Sequence, residues 1–166
     1  METVCAFTGH RPSKLPWGYD ESDPRCLALK SRLYDVLEAV CSTGVRSFVC
    51  GMAAGCDLYF AEALLSLRRD YPDIYLEAAV PYAGQADAWA PALRARYRRI
   101  LLRCSEQTVL RQTYSRECMM ERNRYMVDKC SILVACCDGR PGGTLSTLRY
   151  AARLDKEIIE IPVTQP

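Results

Sequence analysis

Apolar positions along the chain alternate between two periods, and each change falls at a short polar or glycine-bearing segment. Thr3 to Thr8, Val45 to Cys50, Ile74 to Val80 and Ile132 to Cys137 are short apolar runs rich in β-formers, which predicts strands. Gln107 to Leu110 and Glu157 to Pro162 are weaker runs of the same kind. Between them the apolar residues recur at spacings of three and four, as in Leu29, Leu33, Val36, Leu37 and Val40, which predicts an amphipathic helix from near Pro24 to Gly44. The same period marks helices opened by Asp57 and closed by Pro72, from Trp89 to Leu102, from about Arg116 to Lys129, and from Leu145 to Leu154. Strands alternating with helices at this spacing predict an α/β fold, a parallel sheet covered on both faces, with residues 1–166 forming one domain.

Composition narrows this picture. A chain of 166 residues that is 49% apolar can bury a substantial core. Its net charge of +2 argues against gripping nucleic acid through bulk electrostatics. No apolar run is long enough for a membrane span and no basic-then-apolar leader opens the sequence, so the expectation is a cytoplasmic protein with no membrane partner. The ten cysteines include no CxxC, and the one histidine, His10, is remote from most of them. That predicts reduced, buried thiols and no metal site.

The unusual residues cluster in the loops that leave the carboxyl ends of strands, and in a parallel α/β sheet those loops share one edge. They are Thr8, Gly9, His10 and Arg11; Gly51, Met52, Ala53 and Gly55; Pro81 with Gln85; and Asp138, Gly139, Gly142, Gly143 and Thr144. Gly44 alone marks a turn of the opposite kind. The last loop joins a strand to a helix, where free N–H groups and the helix dipole favour an anion such as phosphate. Asp57 reads either as the N-cap of its helix or as a ligand contact. The adjacent His10 and Arg11 suit a polyanion or acid–base chemistry, although a solvated loop pair fits the same residues. Arg122, beside Glu121 and Asn123, shares a helix face with Met119 and Met126. It is expected to point at the sheet and to need an anionic partner: Asp57, Asp138 or a phosphate.

These segments, Thr8-Gly9-His10-Arg11-Pro12, Gly51-Met52-Ala53-Ala54-Gly55-Cys56-Asp57, Val80-Pro81 with Gln85 and Trp89, Arg122 to Asp128, and Gly142-Gly143-Thr144, occur in order across nearly the whole chain. Together they resemble the YpsA-like branch of the SLOG superfamily, the Rossmann-like group that also holds the DprA/Smf and LOG proteins. The resemblance implies a Rossmann-like, doubly wound, mostly parallel sheet of five to six strands, and a nucleotide or nucleotide-derived ligand at its glycine-rich edge. It also implies a homo-oligomer. LOG members release a base from nucleoside monophosphates using an arginine and a glutamate. Arg122 resembles that arginine, while Thr147 stands where the glutamate would be.

Three functions follow. The first is binding or sensing of a nucleotide-derived small molecule, of the NAD or ADP-ribose kind, with no cofactor beyond a bound nucleotide. The second is an N-glycosidase that draws its catalytic groups from His10, Asp57, Glu121 and Arg122. The third is a nucleic-acid module on the Arg94 to Arg103 face with Tyr97, against which the same arginines read as a solvated helix face.

Overall fold

A computed structural model describes residues 2–165. The elements β1 (Val4–Gly9), α1 (Pro24–Ser42), β2 (Ser47–Cys50), α2 (Cys56–Leu67), β3 (Tyr75–Val80), α3 (Pro91–Arg103), β4 (Glu106–Val109), α4 (Cys118–Lys129), β5 (Ile132–Cys136), α5 (Gly143–Arg153) and β6 (Glu157–Ile161) alternate strictly. Local chemistry sets the boundaries. Asp23 accepts from the Arg25 backbone N–H at 2.8 Å with Pro24 in the first turn of α1, and Gly44, at a φ of 101°, releases the chain after it.

The six strands lie in the order β4-β3-β2-β1-β5-β6, and every pairing is parallel. The chain moves outward from β1 to β4, returns to the far side of β1, and then continues to β6. Right-handed crossovers therefore place α1, α2 and α3 on one face and α4 and α5 on the other. The side chains follow the period of two. Phe7, Phe48, Cys50 and Leu76 pack with Leu33, Phe60 and Ile100 on the first face. Ala6, Val49, Ala79 and Leu133 meet Met126, Val127 and Ala151 on the second.

The first core is built from large rings, with Phe60 stacked on Phe7 at 4.6 Å and edge-on to Phe48 at 6.3 Å. The second is thin and small-sided. All ten cysteines are free, and eight of them are buried. No described helix is long and apolar enough to cross a membrane.

Candidate functional site

Strand order reverses between β1 and β5, so the loops leaving these two strands splay apart and open a crevice at the carboxyl edge. A cleft of about 300 Å³ occupies it. Thr8, Gly9, His10 and Arg11 after β1 form one wall, with Ser13 and Lys14 beyond them; Gly143 and Thr144 of α5 form another. Ala53 and Asp57 supply the side nearest β2, and Met119, Arg122, Asn123 and Met126 of α4 close the remaining side.

His10 is 1% exposed, and its Nε2 lies 2.9 Å from Asp138 Oδ1, tying the β1 loop to the β5 loop across the crevice. Burial works to raise the Asp138 acid. The backbone N–H of Arg140, His10 and the Arg140 guanidinium outweigh it and hold the group at about 2. Asp138 is therefore a carboxylate, and its backbone N–H also points at His10 Nε2, at 3.3 Å. His10 Nδ1 is buried without a partner among the described residues. Cys137 Sγ, a ring nitrogen of His10 and a carboxylate oxygen of Asp138 lie within 4.8 Å of one another.

Arg122 is 3% exposed and, as its spacing predicts, faces the sheet. Its Nη1 donates to the carbonyls of Gly51 and Ala79, and its Nε to Asn123 Oδ1 at 2.9 Å. Its Nη2 reaches only the thioether of Met119, at 3.9 Å. Arg11 Nη2 donates to that same sulfur at 3.4 Å. Two guanidiniums thus converge on one neutral, weak acceptor. The anionic partner expected for Arg122 is not supplied by Asp138, and among the described residues Arg122 makes no ion pair. Burial pulls its pKa below the usual arginine value, Asp57 opposes that pull, and Arg11 reinforces it.

Asp57 accepts from the Ala53 N–H at 3.0 Å with Oδ2. Burial pushes its carboxyl above the ordinary carboxylate range, against the pull of Arg122, the Ala53 N–H and Arg11. Desolvation thus outweighs mutual attraction for both groups, and each shifts toward its neutral form. Gly55, not Asp57, is the N-cap of α2; Asp57 sits in the first turn and folds back on the loop.

The glycines divide by role. Gly143 faces open space at the start of α5, and its N-cap, Gly142, offers no side chain to the free N–H groups. Gly51 does not face the cleft: a Cβ there would lie 2.5 Å from the Arg122 guanidinium, so its bareness seats the arginine. Gly55 (φ 89°) lets α2 start against the His10 carbonyl, which would lie 2.8 Å from a Cβ. A Cβ on Gly142 would strike the Lys14 ammonium, which donates to the Pro141 carbonyl at 2.8 Å.

Several sequence expectations require correction. Met52, fully buried at a φ of 58°, packs in the larger core, and Pro81 and Gly139 do not line the cleft. Glu121 points away and forms an ion pair with Arg111 at 2.6 Å. Thr147 Oγ1 donates to the Gly143 carbonyl at 2.8 Å. Tyr97 is buried against Trp89, and Arg96 is bound by Glu21 and Glu62, so the α3 face has no ring free to stack on a base. Gln85 is buried beside the cleft in an adjoining recess. Ser13, Lys14 and Met119 line the cleft without having been expected there, since a loop lysine and a methionine at helical spacing carry no distinguishing pattern.

A family model described as the YspA SLOG family matches residues 5–161. UPF0398 proteins of Bacillus thuringiensis (strain Al Hakam) and Bacillus cereus (strain AH187) are each 27% identical over 158 residues, covering 93% of this chain and 85% of the relative. Among solved structures, the chain is similar to DNA processing protein A (DprA) of Streptococcus pneumoniae, with TM-score 0.64 and 16% identity over 97% of this chain and 50% of that one. It is also similar to DprA of Helicobacter pylori, whose structure concerns single-stranded DNA binding, with TM-score 0.65 and 14% identity over 96% of this chain and 65% of that one. The structural-genomics target TM1055 matches with TM-score 0.56 and 14% identity over 94% and 72% of the two chains. These likenesses establish a shared Rossmann-like fold; the chain spans half to two-thirds of the DprA lengths.

Proposed function

The chain belongs to the YspA SLOG family, and we propose that its crevice binds a nucleotide-derived ligand, of the NAD or ADP-ribose kind, by a phosphate group. The observation that carries this reading is the unspent Nη2 of Arg122: a buried guanidinium that meets only a sulfur, beside Arg11 and the uncapped start of α5. A phosphate oxygen at that point would replace the thioether with charge-assisted bonds from two arginines, and the α5 N–H groups would complete its coordination.

Isothermal titration of the protein with a panel of nucleotides tests this, together with a Gly143→Asp variant. Gly143 has open space around it, and a carboxylate in the first turn of a helix favours the helix dipole, so the variant keeps its fold while repelling phosphate. Saturable binding by the native protein that the variant loses is the expected result. No binding at millimolar ligand, or equal binding by both proteins, overturns the reading.

One observation favours a second reading, hydrolysis of an N-glycosidic bond. Asp57 stands in the cleft with its pKa raised by burial, the state a general acid needs, and the Asp138-oriented His10 shares the cavity. With Glu121 turned away and threonine at position 147, Asp57 is the only carboxyl lining this cleft among the described residues. Base release from nucleoside monophosphates that Asp57→Asn abolishes would support it; binding without turnover would leave the ligand-binding reading alone. Single-stranded nucleic acid, as in the Helicobacter relative, would use the same cleft and would show a steep salt dependence.

A further inference from the structure

Beside the phosphate crevice lies a second recess of about 280 Å³, which shares Arg11, Ser13, Ala53 and Met119 with the cleft. Its character is different. Tyr82 and Trp89 line it, and each ring is braced at a near right angle by another aromatic: Tyr82 by Tyr114 at 5.5 Å, Trp89 by Tyr97 at 5.2 Å. Gln85 also contributes, 5% exposed. Its Nε2 donates to the Gly51 carbonyl at 3.3 Å and the Met52 carbonyl at 3.2 Å. Because carbonyls only accept, these two bonds fix the amide orientation and leave Oε1 free to accept. That oxygen is buried and has no partner among the described residues. A buried acceptor without a donor costs stability, and a fold retains one where a ligand supplies the donor.

We propose that this recess is the nucleobase subsite of the same ligand, and that it takes a base carrying an exocyclic amino group, with Tyr82 and Trp89 flanking its π-face and Gln85 Oε1 accepting from the amine. The inference rests on the phosphate reading above, since the shared residues make one continuous groove from the paired arginines to the aromatic rings. Flat aromatic walls with one oriented acceptor match an aminopurine such as adenine. An aliphatic chain would leave the amide oxygen without a donor.

The test compares adenosine 5′-monophosphate, the monophosphate of purine riboside (which lacks the amine) and ribose 5-phosphate (which lacks the base), followed by calorimetry and by tryptophan fluorescence. Trp17 is buried and donates to Tyr59 at 3.1 Å, so it gives a constant background against which Trp89 reports. Adenosine monophosphate is expected to quench fluorescence and to bind at least tenfold more tightly than ribose 5-phosphate, with the amine-free analogue several-fold weaker than adenosine monophosphate. Trp89→Phe keeps an aromatic against Tyr97, removes the quench and leaves calorimetric binding measurable. Tyr82→Leu weakens the base-bearing ligands alone and guards against a folding defect in the first variant. Equal binding of adenosine monophosphate and ribose 5-phosphate with no tryptophan signal would overturn the base subsite while leaving the phosphate reading intact. Binding by none of the three would end both.

Discussion

Two buried charges lie against helix α4, Glu77 of β3 toward one end and the helix's own Arg122 toward the other. Near its C-terminal end Glu77, 3% exposed, accepts from Lys129 at 2.5 Å, Tyr125 at 2.5 Å and Thr108 at 2.7 Å. Burial works against its ionisation, yet these donors pull the carboxyl below its usual range. One turn from the other end Arg122, equally buried, meets three oxygens and a sulfur and no carboxylate. Both face the same thin core, where Ala6 and Ala79 leave room for polar groups. The fold pairs the buried charge at one site and, among the described residues, leaves it without an ion pair at the other, and the unpaired one borders the cleft. Such a difference on one helix points to a partner from outside the chain.

The contrast can be broken at four points. Lys129→Met strips Glu77 of its counter-ion and is expected to destabilise the protein by about 2 kcal/mol in chemical denaturation, less than for a fully buried pair because the Lys129 ammonium is half-exposed and Tyr125 and Thr108 still donate. Gly51→Ala forces the Arg122 guanidinium from its seat; overpacking of this kind costs about 1–3 kcal/mol, and ligand affinity should fall with it. Arg122→Met is expected to change stability little, since removing a buried charge offsets the hydrogen bonds lost at Gly51, Ala79 and Asn123, while nucleotide binding in calorimetry disappears. A large loss of stability in that variant would show that Arg122 is structural and sink the contrast.

The smallest effect is a pH dependence. Glu77 has a lowered pKa, so its contribution to stability is present above the ordinary carboxylate range and is lost as pH falls through its folded value. Asp57 has a raised pKa, so its contribution is present in acid and is lost as pH rises through its folded value. Asp57→Asn should therefore melt higher than the native protein at neutral pH and lose that advantage near pH 4. A constant difference across that window would show that Asp57 does not titrate as its burial implies.

Much of this was legible in the residues. The period of the apolar positions gave all eleven elements, ten of them to within about three residues; α2 stops at Leu67, short of Pro72. His10, Arg11, Asp57 and Arg122 were recognisable as polar residues in places where packing alone would not put them, and the cleft gathers all four. What stayed hidden was direction. Met52 and Gly51 sit in the same glycine-rich loop as Ala53, yet only Ala53 lines the cleft. The left-handed backbone at Met52 sends its side chain into the core, and Gly51 is bare for the sake of Arg122. Met119 was counted as one more apolar helix position. Its role as the sulfur shared by Arg11 and Arg122 depends on a contact across 108 residues of sequence, which no local pattern encodes.

The carbonyl oxygen of Gly51, at the tip of β2, accepts from both Arg122 and Gln85, so both of its lone pairs are taken. Whatever tugs on the arginine is felt by the amide through a single shared hinge-pin. A molecule that engages both side chains should therefore bind more tightly than its separate fragments predict, and the surplus should vanish when either donor is removed.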